Sequence, residues 1–315
     1  MNATTQKLAT KAQIRKIETV GQDAIASVLD ELNPTKAGAQ RVLESDEFSS
    51  AMRQAAETAL ATLLVTDKYA DEEVDSKYGY LSGYKPLPLT DQVARLKELY
   101  PQLKDAQVPE VGELPKGAEG WFAIPNIWKE DSLLIGTYND SLRRVLEMVK
   151  SDRDGKFHNY RDGQIGPDRL RQTARCKAIF EKLSEDQGHP DILVIAAQFG
   201  LAHRGRSVRR AREVMLDQNQ FGLGAFVTGI MVLTHPDRLK HYDDLWIDCA
   251  GDEYDVPDAG GRFDRAPCFK FYDGEVKFGT SWTDGASGFY GSASGFLSKY
   301  LRDVKTSLRD VFTIN

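Results

Sequence analysis

Five arginines fall within nine residues of this chain, at Arg204, Arg206, Arg209, Arg210 and Arg212, with His203 just before them and no acid between. A guanidinium fork grips phosphate or carboxylate through two parallel hydrogen bonds. The chain as a whole is acidic, with 41 Lys and Arg against 47 Asp and Glu and a net charge of −6. Setting those five positive charges aside leaves −11, so the cluster stands against its background. It is also placed awkwardly. A buried strand is expected to end near Phe199 and a helix to begin near Ser207, which puts arginines in a first helical turn. The backbone there is already positive, so an anion has to compensate. The expected anion is a phosphate-bearing ligand, nucleic acid foremost, held by His203, Arg204, Arg206, Arg209, Arg210 and Arg212. The competing readings are a solvated or self-paired face, or acids of a second chain in a homo-oligomer. The Gly-Lys-Ser/Thr ending of a P-loop is missing.

A second segment offers the opposite charge. Seven acids and no lysine or arginine lie between Asp243 and Asp258. Asp248 closes a short apolar strand, Gly251 turns the chain, and Asp252 and Glu253 follow. Carboxylates at the end of a strand suit general-base work or a divalent cation. Asp248, Asp252 and Glu253 are therefore the candidate catalytic residues and the candidate metal ligands. On this reading the chain is a Mg2+-dependent phosphoryl-transfer enzyme or nuclease, with the arginines as phosphate clamp. On the binding reading it needs no cofactor. An assembly subunit whose charged segments pair between chains is the third class. His235 and His241, six residues apart, do not share a helical face, which argues against zinc.

Weaker signals surround these. Gly285–Gly295 is rich in Gly and Ser but lacks the strand and helix around a dinucleotide loop, and no serine sits in a nucleophile elbow. Phe289 and Tyr290 are candidates for base stacking, with aromatic core as the default.

The elements that must position these groups divide the chain unequally. Residues 1–104 read as a helical region. Ile14, Ile17, Ile25, Val28, Leu29 and Leu32 repeat near 3.6 residues, and Asn33-Pro34 stops that helix. A second stripe runs from Phe48 to Leu64, and a third helix is expected over Asp91–Leu103. A Pro- and Gly-rich loop, Lys104–Gly120, is the expected boundary. Residues 120–315 read as an α/β region ending in a hairpin and a helix over 296–312. Within it the pattern predicts a strand from Trp121, a helix over 141–150, and a helix opening at Pro167 and running to Asp186. It also predicts a doubly buried strand over 191–199, a helix over 207–217 and a short strand over 245–248. Phe221–Leu233 is apolar enough for either a strand or a helix. Asp273-Gly274 between alternating apolar residues is a type I′ hairpin signal over 269–278. It sets Phe269 opposite Phe278 and Phe271 opposite Val276 on a buried face. Lys270 then faces Lys277 on the other, which is expected to be solvated or to touch something anionic. The fold class is thus α+β or mixed α/β.

Composition narrows the rest. Hydrophobic residues are 41% and charged residues 28%, ordinary for a globular chain. Three cysteines, Cys176, Cys249 and Cys268, are too few and too scattered for a disulfide scaffold. The first twenty residues lack the apolar core of a secretory signal, and the longest apolar run is too short for a membrane span. A soluble cytoplasmic protein with free thiols and no membrane partner is expected.

Overall fold

The computed structural model describes residues 10–45, 48–49, 51–52, 56, 67–134, 136–256 and 262–297. Contacts divide the chain into two compact units: Met1–Ala61 with Lys299–Asn315, and Thr62–Ser298. Residues 104–120 lie within the second unit. Seven helices and eleven strands are present among the described residues: three helices come first, four are interleaved with strands, and six strands close the order, an α+β arrangement.

In the first unit, α1 spans Lys11–Leu32 and α2 spans Lys36–Leu43. Thr10 and Gln13 form a capping box at the start of α1, and Asn33 ends it in the left-handed region at φ 41°. Most of the stripe expected over 48–64 lies outside the described residues.

In the second unit, α3 covers Leu89–Leu99, and the chain breaks ahead of Pro101 into a single 3₁₀ turn to Leu103. The helix expected to run unbroken to Leu103 stops there because Pro101 has no N–H to donate and forces Tyr100 out of helical geometry. Next come β1 (Gly120–Pro125), α4 (Tyr138–Asp152), β2 (Phe157–Asn159) and β3 (Leu170–Gln172). Then α5 runs over Ala174–Asp186, capped by the Thr173 hydroxyl. Pro167 does not open that helix: it lies in a turn before β3, and the cap that works is Thr173, which accepts from the Cys176 N–H. After α5 come β4 (Ile192–Gln198), α6 (Val208–Asp217) and β5 (Gln220–Gly222). Helix α7 (Ala225–Thr234) follows at once, so the apolar run that suited either state contains both. All ten residues of α7 are buried, and it packs against α4. The remaining strands are β6 (Trp246–Asp248), β7 (Asp252–Tyr254), β8 (Arg265–Tyr272), β9 (Glu275–Trp282), β10 (Tyr290–Ser292) and β11 (Ser294–Phe296).

Two sheets form. The first has the order β1-β4-β11-β5, antiparallel throughout. The second runs β10-β6-β8-β7-β3, with β9 alongside β8 and β2 alongside β9. The chain passes from the second sheet to the first at Ala293, between β10 and β11. Close beside this joint, Gly200 and Gly291 meet backbone to backbone. A Cβ on Gly200, which sits at φ 128°, would stand 2.5 Å from the Gly291 carbonyl oxygen.

The hairpin has the expected register: Phe269 pairs with Phe278, Lys270 with Lys277 and Phe271 with Val276. Asp273 and Gly274 hold φ of 53° and 76°, as a type I′ turn requires. The strands extend further than 269–278. Phe269, Val276 and Phe278 are buried, whereas Phe271, near the turn, is only half-buried. Phe296 belongs to β11 rather than to a terminal helix, and the remainder of that expected helix lies outside the described residues. No helix among the described residues is long and apolar enough to cross a membrane.

Candidate functional site

Helix α6 begins with Ser207 as its cap: the hydroxyl accepts from the Arg210 N–H at 3.1 Å and donates to Glu72 Oε2 at 2.6 Å. That contact announces how the arginine cluster is compensated. Arg209 Nε stands 2.8 Å from both oxygens of Glu72, and its guanidinium lies over the Tyr69 ring at 4.4 Å. Arg210 reaches Glu73 at 2.7 Å and both Asp67 and Glu213 at 2.9 Å. Arg206 pairs with Glu73 at 3.2 Å and donates to the Nδ1 of His203 at 3.1 Å. Arg212 donates to the carbonyls of Ala250 (2.8 Å) and Asp252 (2.7 Å) and lies 3.8 Å from Glu253. The Arg209 hydrogen bonds hold the Glu72 carboxyl below the usual range. The compensating anions for Arg206, Arg209 and Arg210 thus come mainly from Asp67–Glu73, more than 130 residues upstream.

His203 is fully buried beneath this cluster. Its Nε2 meets Gln220 Oε1 at 2.9 Å, and burial pushes its pKa down to about 4, so it is a neutral hydrogen-bonding group. Arg204 differs from its neighbours. It is exposed, donates to the Tyr78 carbonyl at 3.2 Å, and has no carboxylate partner among the described residues.

The three candidate carboxylates all lie within electrostatic reach of the Arg212 guanidinium, but each has different hydrogen-bond partners. Asp252 is fully buried and accepts from the Tyr138 hydroxyl at 2.7 and 2.9 Å and from the Ala225 N–H at 2.7 Å. It caps α7, whose own cap position, Gly224, offers no side chain. Glu253 pairs with Arg171 at 2.9 Å and faces Arg212. Asp248 is buried, and its Oδ1 has no hydrogen-bond partner. Burial lifts Asp248 and Asp252 to a pKa of about 7 each. A groove of about 580 Å³ opens beside Trp128, Tyr138, Arg171 and Lys177, and none of the three carboxylates lines it. Among the described residues no group of three or more His, Cys, Asp or Glu side chains is set to hold a metal ion.

The pleat of the second sheet builds a different surface. Alternation along β8 turns Phe269 toward α7 and leaves Lys270 and Tyr272 on the opposite face. Lys277, facing Lys270, is neutralised by Asp273 at 3.2 Å and Glu275 at 3.4 Å. Lys270 has no carboxylate partner among the described residues. Its ammonium sits 5.0 Å from the ring of Trp246 and 5.6 Å from that of Tyr160. From Trp246 the rings continue both ways. Phe289 lies 5.4 Å off and Tyr78 4.5 Å beyond it; Tyr272 lies 6.3 Å off and Tyr242 5.6 Å beyond it. These rings are not core. Tyr160 is 48% exposed, Tyr242 50%, Tyr272 36% and Phe289 37%. Arg204 stands at the Tyr78 end of the row through its bond to the Tyr78 carbonyl.

Sequence reasoning singled out Phe289 and the Lys270–Lys277 face but missed the row. Tyr78, Tyr160 and Tyr242 come from separate loops, and only the pairing across the hairpin and Phe289 pointed to this face.

The chain matches no protein-family model, no curated protein and no solved structure.

Proposed function

We propose that this protein binds single-stranded nucleic acid on the ring-and-lysine face of its second sheet. The observation that carries the reading is the row of half-exposed rings from Tyr78 to Tyr242, with Lys270 among them and Arg204 at one end, both cations without a carboxylate partner among the described residues. Unpaired bases stack on such rings at about 1–3 kcal/mol each, whatever their identity, while cations beside them take the phosphates. A duplex keeps its base faces covered and gains little here. In the arginine cluster, Arg204 supports phosphate binding; Arg206, Arg209 and Arg210 are occupied in holding residues 67–73. Phosphoryl transfer has less support, because Asp252 and Glu253 are committed to protein partners and Asp248 is buried away from the groove.

The test is the quenching of tryptophan fluorescence by oligo-dT and oligo-rU of about 15 nucleotides. A dissociation constant on the order of 1–100 μM is expected from a few stacked bases. Tyr272→Ala and Phe289→Ala should each weaken binding by about 5- to 100-fold, and Arg204→Gln should lower the log–log salt slope by about one. No binding by the parent protein, or equal binding by Tyr272→Ala, overturns the reading.

A further inference from the structure

The ring face is wider than the row from Tyr78 to Tyr242. Five strands lie side by side beneath it, in the order β10, β6, β8, β9 and β2. Tyr290 pairs with Trp246, and the register that sets Ile247 opposite Phe269 brings Trp246 beside Lys270. Lys270 pairs with Lys277, and Lys277 pairs with His158. Paired residues share a face, so one line of side chains crosses the sheet from β10 to β2. Neighbouring strands stand about 4.8 Å apart, which makes the line about 19 Å long. Its far end is built like its near end. Phe157 is buried, which turns His158 to the ring face, where it is exposed. The half-exposed Tyr160 ring meets His158 edge-on at 4.4 Å. Tyr160 lies close over the sheet because Gly279 has no side chain; a Cβ there would stand 3.4 Å from the ring. Lys156 is exposed and, like Arg204 at the near end, has no carboxylate partner among the described residues. Between the two ends, Lys270 stands within reach of both Trp246 and Tyr160. Asp273 and Glu275 neutralise Lys277, which leaves a phosphate at this crossing to Lys270.

We propose that Tyr160, His158 and Lys156 form a second arm of this face: a single strand stacked on Phe289 and Trp246 passes Lys270 and continues across the sheet onto Tyr160 and His158, with a phosphate at Lys156. This rests on the nucleic-acid reading of the face. Tyr272, whose ring lies 5.2 Å from the Lys277 ammonium, flanks the crossing. A stacked strand advances about 3.4 Å per nucleotide, so the line from β10 to β2 takes about six.

Oligo-dT of about four and about eight nucleotides tests the arm, with binding by the full chain read from the quenching of tryptophan fluorescence. Affinity should rise at least about tenfold from the shorter to the longer strand. Tyr160→Ala combined with His158→Ala should weaken binding of the longer strand by about 5- to 100-fold and remove most of its advantage over the shorter one. Lys156→Gln should lower the log–log salt slope for the longer strand by about one. All three residues are exposed, so thermal unfolding of these variants should match that of the parent. Two failures are distinct. No binding by the parent, or binding indifferent to Phe289→Ala, overturns the reading of the face and the arm with it. Binding that Phe289→Ala weakens but the Tyr160 and His158 substitutions leave unchanged overturns the arm alone. Equal affinity for the two lengths, or an unchanged salt slope in Lys156→Gln, does the same.

Discussion

Arg209 closes on both carboxylate oxygens of Glu72, a residue 137 positions earlier in the chain. The contact ties the loop after residue 66 to the first turn of α6 and supplies the negative charge that this helix start requires. Glu72 is the better buried partner and Arg209 is partly exposed. Discounted for solvent at the arginine, their coupling in a double-mutant cycle of Glu72→Gln and Arg209→Gln should be about 1–2 kcal/mol by denaturant unfolding. Additive single effects would show the contact to be without weight.

Asp248 sets one limb of the pH dependence. Its folded pKa of about 7 stands above the ordinary carboxyl value because burial disfavours the charged form. The stability it contributes is full below the unfolded pKa and is lost as pH rises to about 7. Asp248→Asn should therefore be more stable than the parent at about pH 8, by about 1–3 kcal/mol, with the gap closing toward about pH 4. A constant difference across that range would place the cost elsewhere.

His203 and His235 set the opposite limb. Burial pushes each down to about 4. His235 Nε2 accepts from the Leu87 N–H at 3.0 Å, a bond that a protonated ring forfeits. A depressed pKa gives stability that is full above about 6.5 and lost as pH falls toward 4. Because the raised carboxyls of Asp248 and Asp252 act the opposite way over the same range, the histidine effect is read as a difference: His235→Gln should gain stability relative to the parent as pH falls from about 7 to about 4.

The two faces of the hairpin give unequal truncation costs. Phe269 is fully buried with its ring 5.0 Å from that of Phe278, so Phe269→Ala should cost about 3–5 kcal/mol. Phe271 shares the face but is half-buried, and Phe271→Ala should cost about 1–2 kcal/mol. Equal losses in the unfolding midpoint would contradict this ranking.

Local chemistry was legible in the chain: the Asp273-Gly274 turn, the helix beginning near Ser207, the Asn33 stop and the strand expected over 191–199 and found over Ile192–Gln198 all follow from short-range rules. Pro167 misled because a proline suits a turn as well as a first helical turn, and Thr173 held the stronger cap. The site was legible only in parts. Arginines at a helix start announce that an anion is needed, but not that Glu72 and Glu73 provide it, because those acids belong to a loop with no periodicity to place it. The acids after Asp243 looked like one constellation. Folding sends them three ways: Asp252 to a helix end, Glu253 to arginines, and Asp248 into the interior. The ring row is hidden for the same reason, since its members are drawn from loops that only the folded sheet brings together.

The position of β11 has a consequence for how the chain is made. It is the last described strand to be synthesised, yet it lies in the middle of the first sheet, between β4 and β5. Until residue 296 has left the ribosome, β1 and β4 form one ribbon, β5 stands apart, and a slot waits between them. The second sheet likewise lacks β10. Neither layer is complete during elongation: one short segment of extended chain then supplies both the edge strand β10 of the second sheet and the inner strand β11 of the first. Such late, long-range pairing slows folding. A nascent chain halted after β9 should therefore expose two unfinished sheet edges, the state in which this protein is most open to chaperones and to aggregation.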